Sequence, residues 1–402
     1  MVATQSDSGS HDSSLDAHFQ QALERARGLA TVVEGEARAC EEAATLTPKV
    51  VDAIRDSELM LAFLPKELGG HELPPQHIVQ VVEEVSRLDG STGWCFGMNG
   101  LITGVCAAAL PQEGLEEIYS GDPARLLMAG GFPPMGRADR EGDAWRVTAN
   151  MRFGSGILHA DHVACTAVEF SGDVPVMDGG MPRMRTFVVP REDVRVVENW
   201  DVAGLQGTGS CDYHLDAQLL PDSKSFIASA LVPLRGHSLY SLPLMSIASA
   251  PHSGFALGVG RRALEEIGEH AGWRQRLASQ SKLAQRKSFQ KDFARAKTGL
   301  DAARALVLAN YAELGAAFES EDGVQIEDRA KLIAATTNAY EAALDSAQMA
   351  FRAGGAAALF RDGRLQRTLR DIQAGAQHIV PSEESWERVG EFWLGAGIPA
   401  MI

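Results

Sequence analysis

Four short stretches of this chain carry residue types whose spacing could support chemistry. They are an STGW segment at 91–94, an FGSG segment at 153–156, a GLQGTGS segment at 204–210, and the segment that runs from Leu365 to His378. An imidazole can hold or move a proton near neutral pH. Hydroxyls flanked by glycine let the backbone approach a ligand closely. These residue types therefore favour proton handling beside a closely held planar ligand.

Ser155 and the GTGS segment at 207–210 are the candidate ligand contacts. Ser155 lies between two glycines, where its hydroxyl and amide could bond a ring heteroatom. The GTGS segment offers backbone donors and two hydroxyls to a phosphate or a heteroaromatic edge. Each feature also has a structural explanation, since such segments form ordinary turns and a lone histidine on a helix is often structural. The chain has no Walker, Rossmann, HExxH or GxSxG motif and no cluster of metal ligands.

The elements that position these residues follow an order of helices, then strands, then helices. Residues 1–14 are polar and rich in serine, which predicts a disordered tail. Residues 15–125 predict a helical domain, in which Thr47-Pro48 indicates a helix start. Residues 126–233 contain short alternating runs separated by Gly, Pro and Asp, which predict an antiparallel β domain. Residues 234–402 predict a helical bundle with alanine-rich stripes.

Composition excludes several classes of function. The formal net charge is −16 and the pI is about 5.2, so a nucleic acid is not an expected partner. No apolar run reaches the length of a membrane span, and the N-terminus lacks the pattern of a signal peptide. The five cysteines are scattered without a CxxC, which argues against a disulfide framework and a zinc site. A cytoplasmic enzyme without a metal is the expectation.

Five motifs in order give the chain a resemblance to the acyl-CoA dehydrogenase superfamily over roughly residues 20–400. They are Leu64-Pro65 through Gly69-Gly70, the DGSTGW segment at 89–94, the FGSG segment, the GLQGTGS segment, and the RxLRD segment that ends at Asp371. The resemblance implies an α+β fold with an N-terminal helical domain, a central antiparallel β domain and a C-terminal four-helix bundle. It also implies a flavin between the β domain and the bundle, and a homotetramer.

The two places where a dehydrogenase of this superfamily keeps its catalytic glutamate are empty of acids. One place follows the RD pair, where Ile379 stands directly after His378. The other lies on the first bundle helix near Ser246 and Ile247, and no Asp or Glu occurs from Ser223 to Leu264. Removal of the α-proton of a thioester needs such a base. The sequence therefore indicates that dehydrogenation has been given up.

A second branch of the superfamily, the two-component (group D) flavin-dependent monooxygenases, resembles this chain in carrying His378 and Ser155 at matching places. The resemblance implies reduced FAD or FMN from a separate flavin reductase, which it can meet by diffusion alone, and O2 as co-substrate. A C4a-hydroperoxyflavin would then hydroxylate a small, aromatic substrate. By this resemblance, His378 keeps the peroxide protonated or deprotonates a phenol, and Ser155 bonds the flavin N5 region.

The same resemblance assigns further residues to the site. Cofactor contacts would come from Ser155, Gly156, Thr208 and Ser210, with Arg274, Gly354 and Gly355 reaching the phosphates or adenylate of a neighbouring subunit's flavin. The substrate pocket would be lined by Trp94, Phe96, Met98, Asn99 and Phe132. Phe96 and Met98 fit the hydrophobic core equally well. Ile102 stands where some phenol hydroxylases of this group carry a second histidine.

Two other functions remain open on the sequence. The chain could be a dehydrogenase of the same fold with an unusual base, such as His378, or a flavin or ligand binder without catalysis. Turnover of reduced flavin with oxygen indicates the monooxygenase, whereas oxidised FAD that is bleached by an acyl-CoA indicates the dehydrogenase.

Overall fold

The computed structural model describes residues 8–236, 240, 242–273 and 281–399. Six helices precede the sheet: α1 Ser8–Gly28, α2 Ala30–Ala43, α3 Pro48–Asp56, α4 Pro75–Leu88, α5 Gly90–Ala109 and α6 Gln112–Ile118. The predicted disordered tail is thus too long, because α1 already begins at Ser8. Once a helix is nucleated, each added residue gains a backbone hydrogen bond, so polar residues can extend it.

Helix α5 is the most buried helix of the N-terminal domain and carries the STGW segment. Asp89 caps its start, since its carboxylate accepts hydrogen bonds from the Thr92 amide and hydroxyl, each at 2.9 Å. Glycines allow its close packing: a Cβ on Gly93 would lie 2.1 Å from the Ser86 hydroxyl of α4. The helix therefore lies against its neighbours closely enough to fix the side chains it presents to the sheet.

The sheet follows at residues 128–227. Its strands are β1 Met128–Gly131, β2 Gly136–Glu141, β3 Ala144–Gly154, β4 His162–Ser171, β5 Val174–Pro175, β6 Met177–Asp178, β7 Met181–Pro182, β8 Met184–Pro190, β9 Arg195–Val197, β10 Cys211–Pro221 and β11 Ser225–Ile227. The main sheet has the order β11-β8-β4-β2-β3-β10-β9, with β1 and β5 also on β4, and β6 pairs with β7. Alternation of buried and exposed residues along β3 matches the predicted pattern.

The prediction of an antiparallel β domain is wrong in one respect, because the sheet is mixed. Both β1 and β2 run parallel to β4. The reason is the connection at 155–161, which carries the chain from the end of β3 past β2. Because β2 is antiparallel to β3, the returning β4 takes the direction of β2. The same connection holds Ser155.

The C-terminal helices form the predicted bundle. They are α7 Leu244–Trp273, α8 Lys287–Glu319, α9 Ile326–Gly354, α10 Arg364–Gly375 and α11 Glu383–Trp393. Helix α9 packs against α7, α8 and α10, while α11 covers the far end of α9. Helix α7 also packs along α4, which joins the bundle to the N-terminal domain. Among the described residues, no helix is long and apolar enough to cross a membrane.

A helical position for His378 is wrong, because His378 lies in the turn that follows α10. Helix α10 ends at Gly375, and the His378 amide donates to the Gly375 carbonyl at 3.1 Å in the turn that follows. A Cβ on Gly375 would lie 2.5 Å from Phe255 and 3.3 Å from Trp94. The glycine therefore lets the end of α10 approach these two rings and places His378 beside them.

Candidate active site

A continuous chain of side-chain hydrogen bonds surrounds Ser155. The Trp94 Nε1 donates to Ser155 Oγ at 2.9 Å. Ser155 Oγ lies 2.8 Å from Ser210 Oγ, which lies 2.7 Å from Thr208 Oγ1. Thr208 Oγ1 donates to the Leu205 carbonyl at 2.9 Å. The structure thus unites three of the predicted cofactor contacts, Ser155, Thr208 and Ser210, in one buried cluster.

The backbone around Ser155 is held from two sides. The Asn99 side-chain amide donates to the Ser155 carbonyl at 3.0 Å and to the Met128 carbonyl at 2.9 Å. The Gly156 amide donates to the Thr208 carbonyl at 2.8 Å. Gly156 has a φ of +74°, and a Cβ there would lie 2.6 Å from the Asn99 amide oxygen. Glycine is therefore required at 156 for the turn and for the close approach of Asn99.

Helix α10 fixes the GLQGTGS turn. The Leu205 amide donates to Asp371 Oδ1 at 2.7 Å, and the Arg370 guanidinium donates to the Ala203 carbonyl at 2.7 Å. Arg370 also bonds Glu41 at 2.6 Å. The two residues thus hold the turn through separate contacts. Burial, and then the nearby Asp89, raises the pKa of Asp371 to about 7.

His378 lies in an aromatic cluster that adjoins the hydroxyl chain. Its ring centroid is 5.8 Å from that of Trp94 and 4.2 Å from that of His252. Trp94 also packs edge-to-face against Phe255 at 5.0 Å. Trp94 therefore links the two predicted catalytic residues, because its indole nitrogen bonds Ser155 while its ring contacts His378.

The protonation of His378 follows from its surroundings. Burial lowers its pKa to about 4, so the imidazole is neutral at pH 7. The Val380 amide donates to His378 Nδ1 at 3.2 Å. A nitrogen that accepts a hydrogen bond carries no proton, so the single proton of the neutral ring resides on Nε2. His378 is thus a neutral donor at Nε2.

His252 is a member of the site that the sequence reading missed. It is fully buried on α7, and its Nδ1 lies 2.8 Å from the Tyr340 hydroxyl. Its Nε2 is buried without a partner among the described residues. Burial, together with His378, keeps the pKa of His252 well below its usual value. A signal was available, because His252 follows Pro251 inside the acid-free stretch where a dehydrogenase base would be sought.

The predicted pocket residues divide into two groups. Trp94 and Asn99 contact Ser155 directly, as described above. Phe96 instead packs edge-to-face against Phe63 at 5.4 Å, which places it in the hydrophobic core of the N-terminal helices. The i, i+2 spacing of Trp94 and Phe96 points them to different sides of α5. Met98 and Phe132 are partly buried against the same core, and their contact with a substrate stays a prediction.

The two glycines expected at a neighbouring flavin lie at the C-terminal end of α9. Gly354 ends α9, and a Cβ there would lie 2.6 Å from Leu365, so packing against α10 already explains the glycine. Gly355 follows it with a φ of +55°. Arg274 lies outside the described residues. The roles of all three stay predictions. No group of His, Cys, Asp or Glu in the described ranges could hold a metal ion.

Comparison with known proteins identifies the family. The model "Acyl-CoA dehydrogenase, N-terminal domain" matches residues 18–119, and "Acyl-CoA dehydrogenase, C-terminal domain" matches residues 250–383. The indole-3-acetate monooxygenase of Pseudomonas putida is 30% identical over 351 residues, which cover 86% of each chain. HsaA of Rhodococcus jostii, the oxygenase subunit of a flavin-dependent monooxygenase, is 25% identical over 370 residues, covering 90% of this chain and 95% of HsaA.

The fold agrees with these matches. The structure of XiaF from Streptomyces sp., in complex with FADH2 and glycerol, superposes with a TM-score of 0.87 at 22% identity, covering 97% of this chain and 98% of XiaF. The predicted α+β fold of three domains is confirmed. The chain belongs to the acyl-CoA dehydrogenase superfamily, in its branch of two-component flavin-dependent monooxygenases.

Proposed function

We propose that this protein is an oxygenase component that uses reduced flavin from a separate reductase, together with O2, to hydroxylate a small aromatic substrate. The observation that carries the proposal is the neutral His378 with its proton on Nε2. The next residue, Ile379, stands where a dehydrogenase of this superfamily keeps its catalytic glutamate. Ile379 is about half exposed (48%) at the first place for a dehydrogenase base. At the second place, Ser246 and Ile247 are buried on α7. The indole substrate in the name of the Pseudomonas relative supports an aromatic substrate.

The residues around Ser155 fit a flavin ring. Ser155 directly follows β3 and its hydroxyl accepts from Trp94 of α5, while the glycine at 156 permits the turn in which Ser155 lies. The His252 Nε2, which is buried without a partner in the described chain, marks a polar position beside His378. When bound, a reduced flavin supplies the electrons that activate O2. Ser155, Gly156, Thr208 and Ser210 would hold its ring.

The chain's own residues would shield the reacting oxygen from water and donate a hydrogen bond to it. A neutral imidazole donates a hydrogen bond from Nε2 without placing a charge in the apolar site. Trp94, Phe255 and the buried His252 exclude water from the same side. Together these contacts would hold the proton where it favours transfer of oxygen to the substrate over release of hydrogen peroxide.

Among the described residues, neither His378 nor the two places for a dehydrogenase glutamate offers a free base. His378 Nδ1 already accepts from the Val380 amide, and Nε2 carries the proton. The two buried aspartates within the motifs already accept hydrogen bonds. Asp89 caps α5, and Asp371 accepts from the Leu205 amide. A group that is already bonded in this way gives up a structural contact if it is to abstract a proton. The geometry therefore favours hydroxylation.

The assembly and partners are part of the same proposal. A flavin reductase supplies the reduced FAD or FMN, and Arg274, Gly354 and Gly355 reach the flavin of a neighbouring subunit in a homotetramer. The five cysteines are all unpaired and buried, which supports a reducing compartment such as the cytoplasm.

The test is a product screen. The purified protein is mixed with chemically reduced FAD or FMN, O2 and aromatic candidates, among them indole-3-acetate and simple phenols. We expect one candidate to gain an oxygen atom that derives from labelled O2. Bleaching of protein-bound oxidised FAD by an acyl-CoA, without a hydroxylated product, would instead establish the dehydrogenase.

A further inference from the structure

The hydrogen bonds around Ser155 run in one direction. Each hydroxyl has one proton to donate. Thr208 Oγ1 gives its proton to the Leu205 carbonyl, so Ser210 must donate to Thr208. The Ser210 proton is then used, so Ser155 must donate to Ser210. The order of donation is therefore Trp94, Ser155, Ser210, Thr208 and the Leu205 carbonyl.

The opposite direction leaves one proton without an acceptor. If Thr208 donated to Ser210, and Ser210 to Ser155, the Ser155 oxygen would accept from both Ser210 and Trp94. Its own proton would then have no acceptor among the described residues. Ser155 is buried, so an unsatisfied donor there is costly. The protein alone therefore favours the arrangement in which Ser155 presents a lone pair and no proton.

The acceptor end of the chain is held in place. The Leu205 carbonyl also accepts from the Trp200 indole nitrogen at 3.0 Å and from the Thr208 amide at 3.1 Å. The Leu205 amide is bound by Asp371 at 2.7 Å. These contacts fix the position of the carbonyl that receives the Thr208 proton. The direction of the chain is thus built into the GLQGTGS turn and its contact with α10.

We propose that this direction makes Ser155 select the redox state of the flavin. The N5 atom of a reduced flavin carries a hydrogen and donates, whereas N5 of an oxidised flavin only accepts. A Ser155 hydroxyl with a free lone pair matches the reduced form and leaves the oxidised form without a donor. The inference rests on the proposed function, because it requires that the flavin ring bind at Ser155. It adds a reason why the protein would take up reduced flavin and release the oxidised product.

Anaerobic titration tests the proposal by binding alone. Dissociation constants for oxidised and chemically reduced FAD and FMN are measured by fluorescence or absorbance on the full-length protein. We expect the wild-type protein to bind the reduced form at least about tenfold more tightly, the ratio that an unmade hydrogen bond to a buried group produces. Ser210→Ala removes the acceptor of the Ser155 proton and frees that proton for N5 of the oxidised form. The ratio should then fall toward one, mainly through tighter binding of oxidised flavin.

Two further variants keep the result interpretable. Thr208→Val preserves the shape of the side chain and removes the acceptor of the Ser210 proton, so the ratio should fall in the same direction. Ser225→Ala is the matched control, because Ser225 is also a buried, bonded serine of the sheet but lies on β11. The control should keep the wild-type ratio.

The outcomes separate this inference from the proposed function. A wild-type ratio near one, or an unchanged ratio in folded Ser210→Ala and Thr208→Val proteins, overturns the selection by Ser155. If labelled oxygen still enters an aromatic product in that case, the oxygenase function stands without it. If neither redox state binds and no product forms, the proposed function fails and this inference fails with it.

Discussion

The two sides of the site treat polar groups in opposite ways. On the β-domain side, every hydroxyl proton from Ser155 to Thr208 has an acceptor within the protein. On the bundle side, His378 and His252 are kept neutral by burial, and the His252 Nε2 has no partner in the described chain. The satisfied side sets orientation, whereas the bundle side leaves an imidazole nitrogen that a bound group can use. Trp94 is the only described side chain that we find bonded to Ser155 and packed on His378.

On the bundle side, removal of the His378 imidazole should have the largest effect on product formation. We expect His378→Ala to lower coupled product formation about 100-fold, the usual contribution of a positioned proton donor, and to raise hydrogen peroxide release. Product and peroxide are quantified per reduced flavin consumed. His214→Ala, on strand β10 away from the cluster, is the control. Parent-like hydroxylation by a folded His378→Ala protein would make His378 structural.

Loss of the Ser155 hydroxyl should have a smaller effect than loss of the His378 imidazole, and this effect should fall on the affinity for reduced flavin. Ser155→Ala removes one hydrogen bond to the flavin and leaves the Trp94 Nε1 without its acceptor. We expect reduced flavin to bind roughly tenfold more weakly, as the loss of one such bond predicts. Anaerobic titration measures the affinity. An affinity equal to that of the parent would remove Ser155 from the cofactor site.

His252 should contribute to stability more than to catalysis. His252→Phe keeps an aromatic ring in the cluster but leaves the buried Tyr340 hydroxyl without its partner. We expect the free energy of unfolding to fall by about 1–3 kcal/mol, with product formation reduced less than in His378→Ala. Urea denaturation measures the first quantity. A loss of activity as large as that of His378→Ala, in a protein of parent stability, would give His252 a catalytic role.

Asp371 should change how the stability of the protein depends on pH. Its pKa is raised from 3.8 to about 7 in the folded state, so the folded protein binds this proton more tightly. The stabilisation is complete below pH 3.8 and is lost as pH rises through 7. One such proton contributes at most about 1.4 kcal/mol per pH unit. Asp371→Asn keeps an acceptor for the Leu205 amide and should remove this contribution between pH 4 and 7.

Chemical denaturation at several pH values distinguishes this slope from that of the buried histidines. His378, with its pKa lowered to about 4, works in the opposite sense, because its contribution to stability is lost as pH falls below 6.5. The difference between parent and Asp371→Asn isolates the carboxyl. Equal slopes in the two proteins would show that Asp371 is ionised in the folded state at pH 5.

The sequence sufficed for the fold, because the fold depends on periodic patterns and on motifs in a fixed order, whereas the roles of His378 and Ser155 stay predictions. Pro48 begins α3, as the Thr47-Pro48 pair predicted. The alternation predicted for the β domain appears along β3. Such features are local, so the chain itself records them.

Features that depend on tertiary contact escaped the sequence reading. The close approach of Gly375 to the rings of Phe255 and Trp94 depends on residues that lie far away in the chain. The mixed sheet follows from the path of the 155–161 connection. Phe96 and Trp94 look alike as aromatic residues on one helix, yet only Trp94 meets Ser155. Donor direction among Ser155, Ser210 and Thr208 requires distances that no motif contains.

The most direct test of the central claim is a single turnover with labelled oxygen. Protein loaded with one equivalent of reduced flavin is mixed with ¹⁸O2 and an aromatic substrate, and the ¹⁸O content of the product is compared with hydrogen peroxide release in parent and His378→Ala proteins. We expect labelled hydroxylated product from the parent, and mainly hydrogen peroxide from the variant. Labelled product in equal yield from both proteins would contradict it.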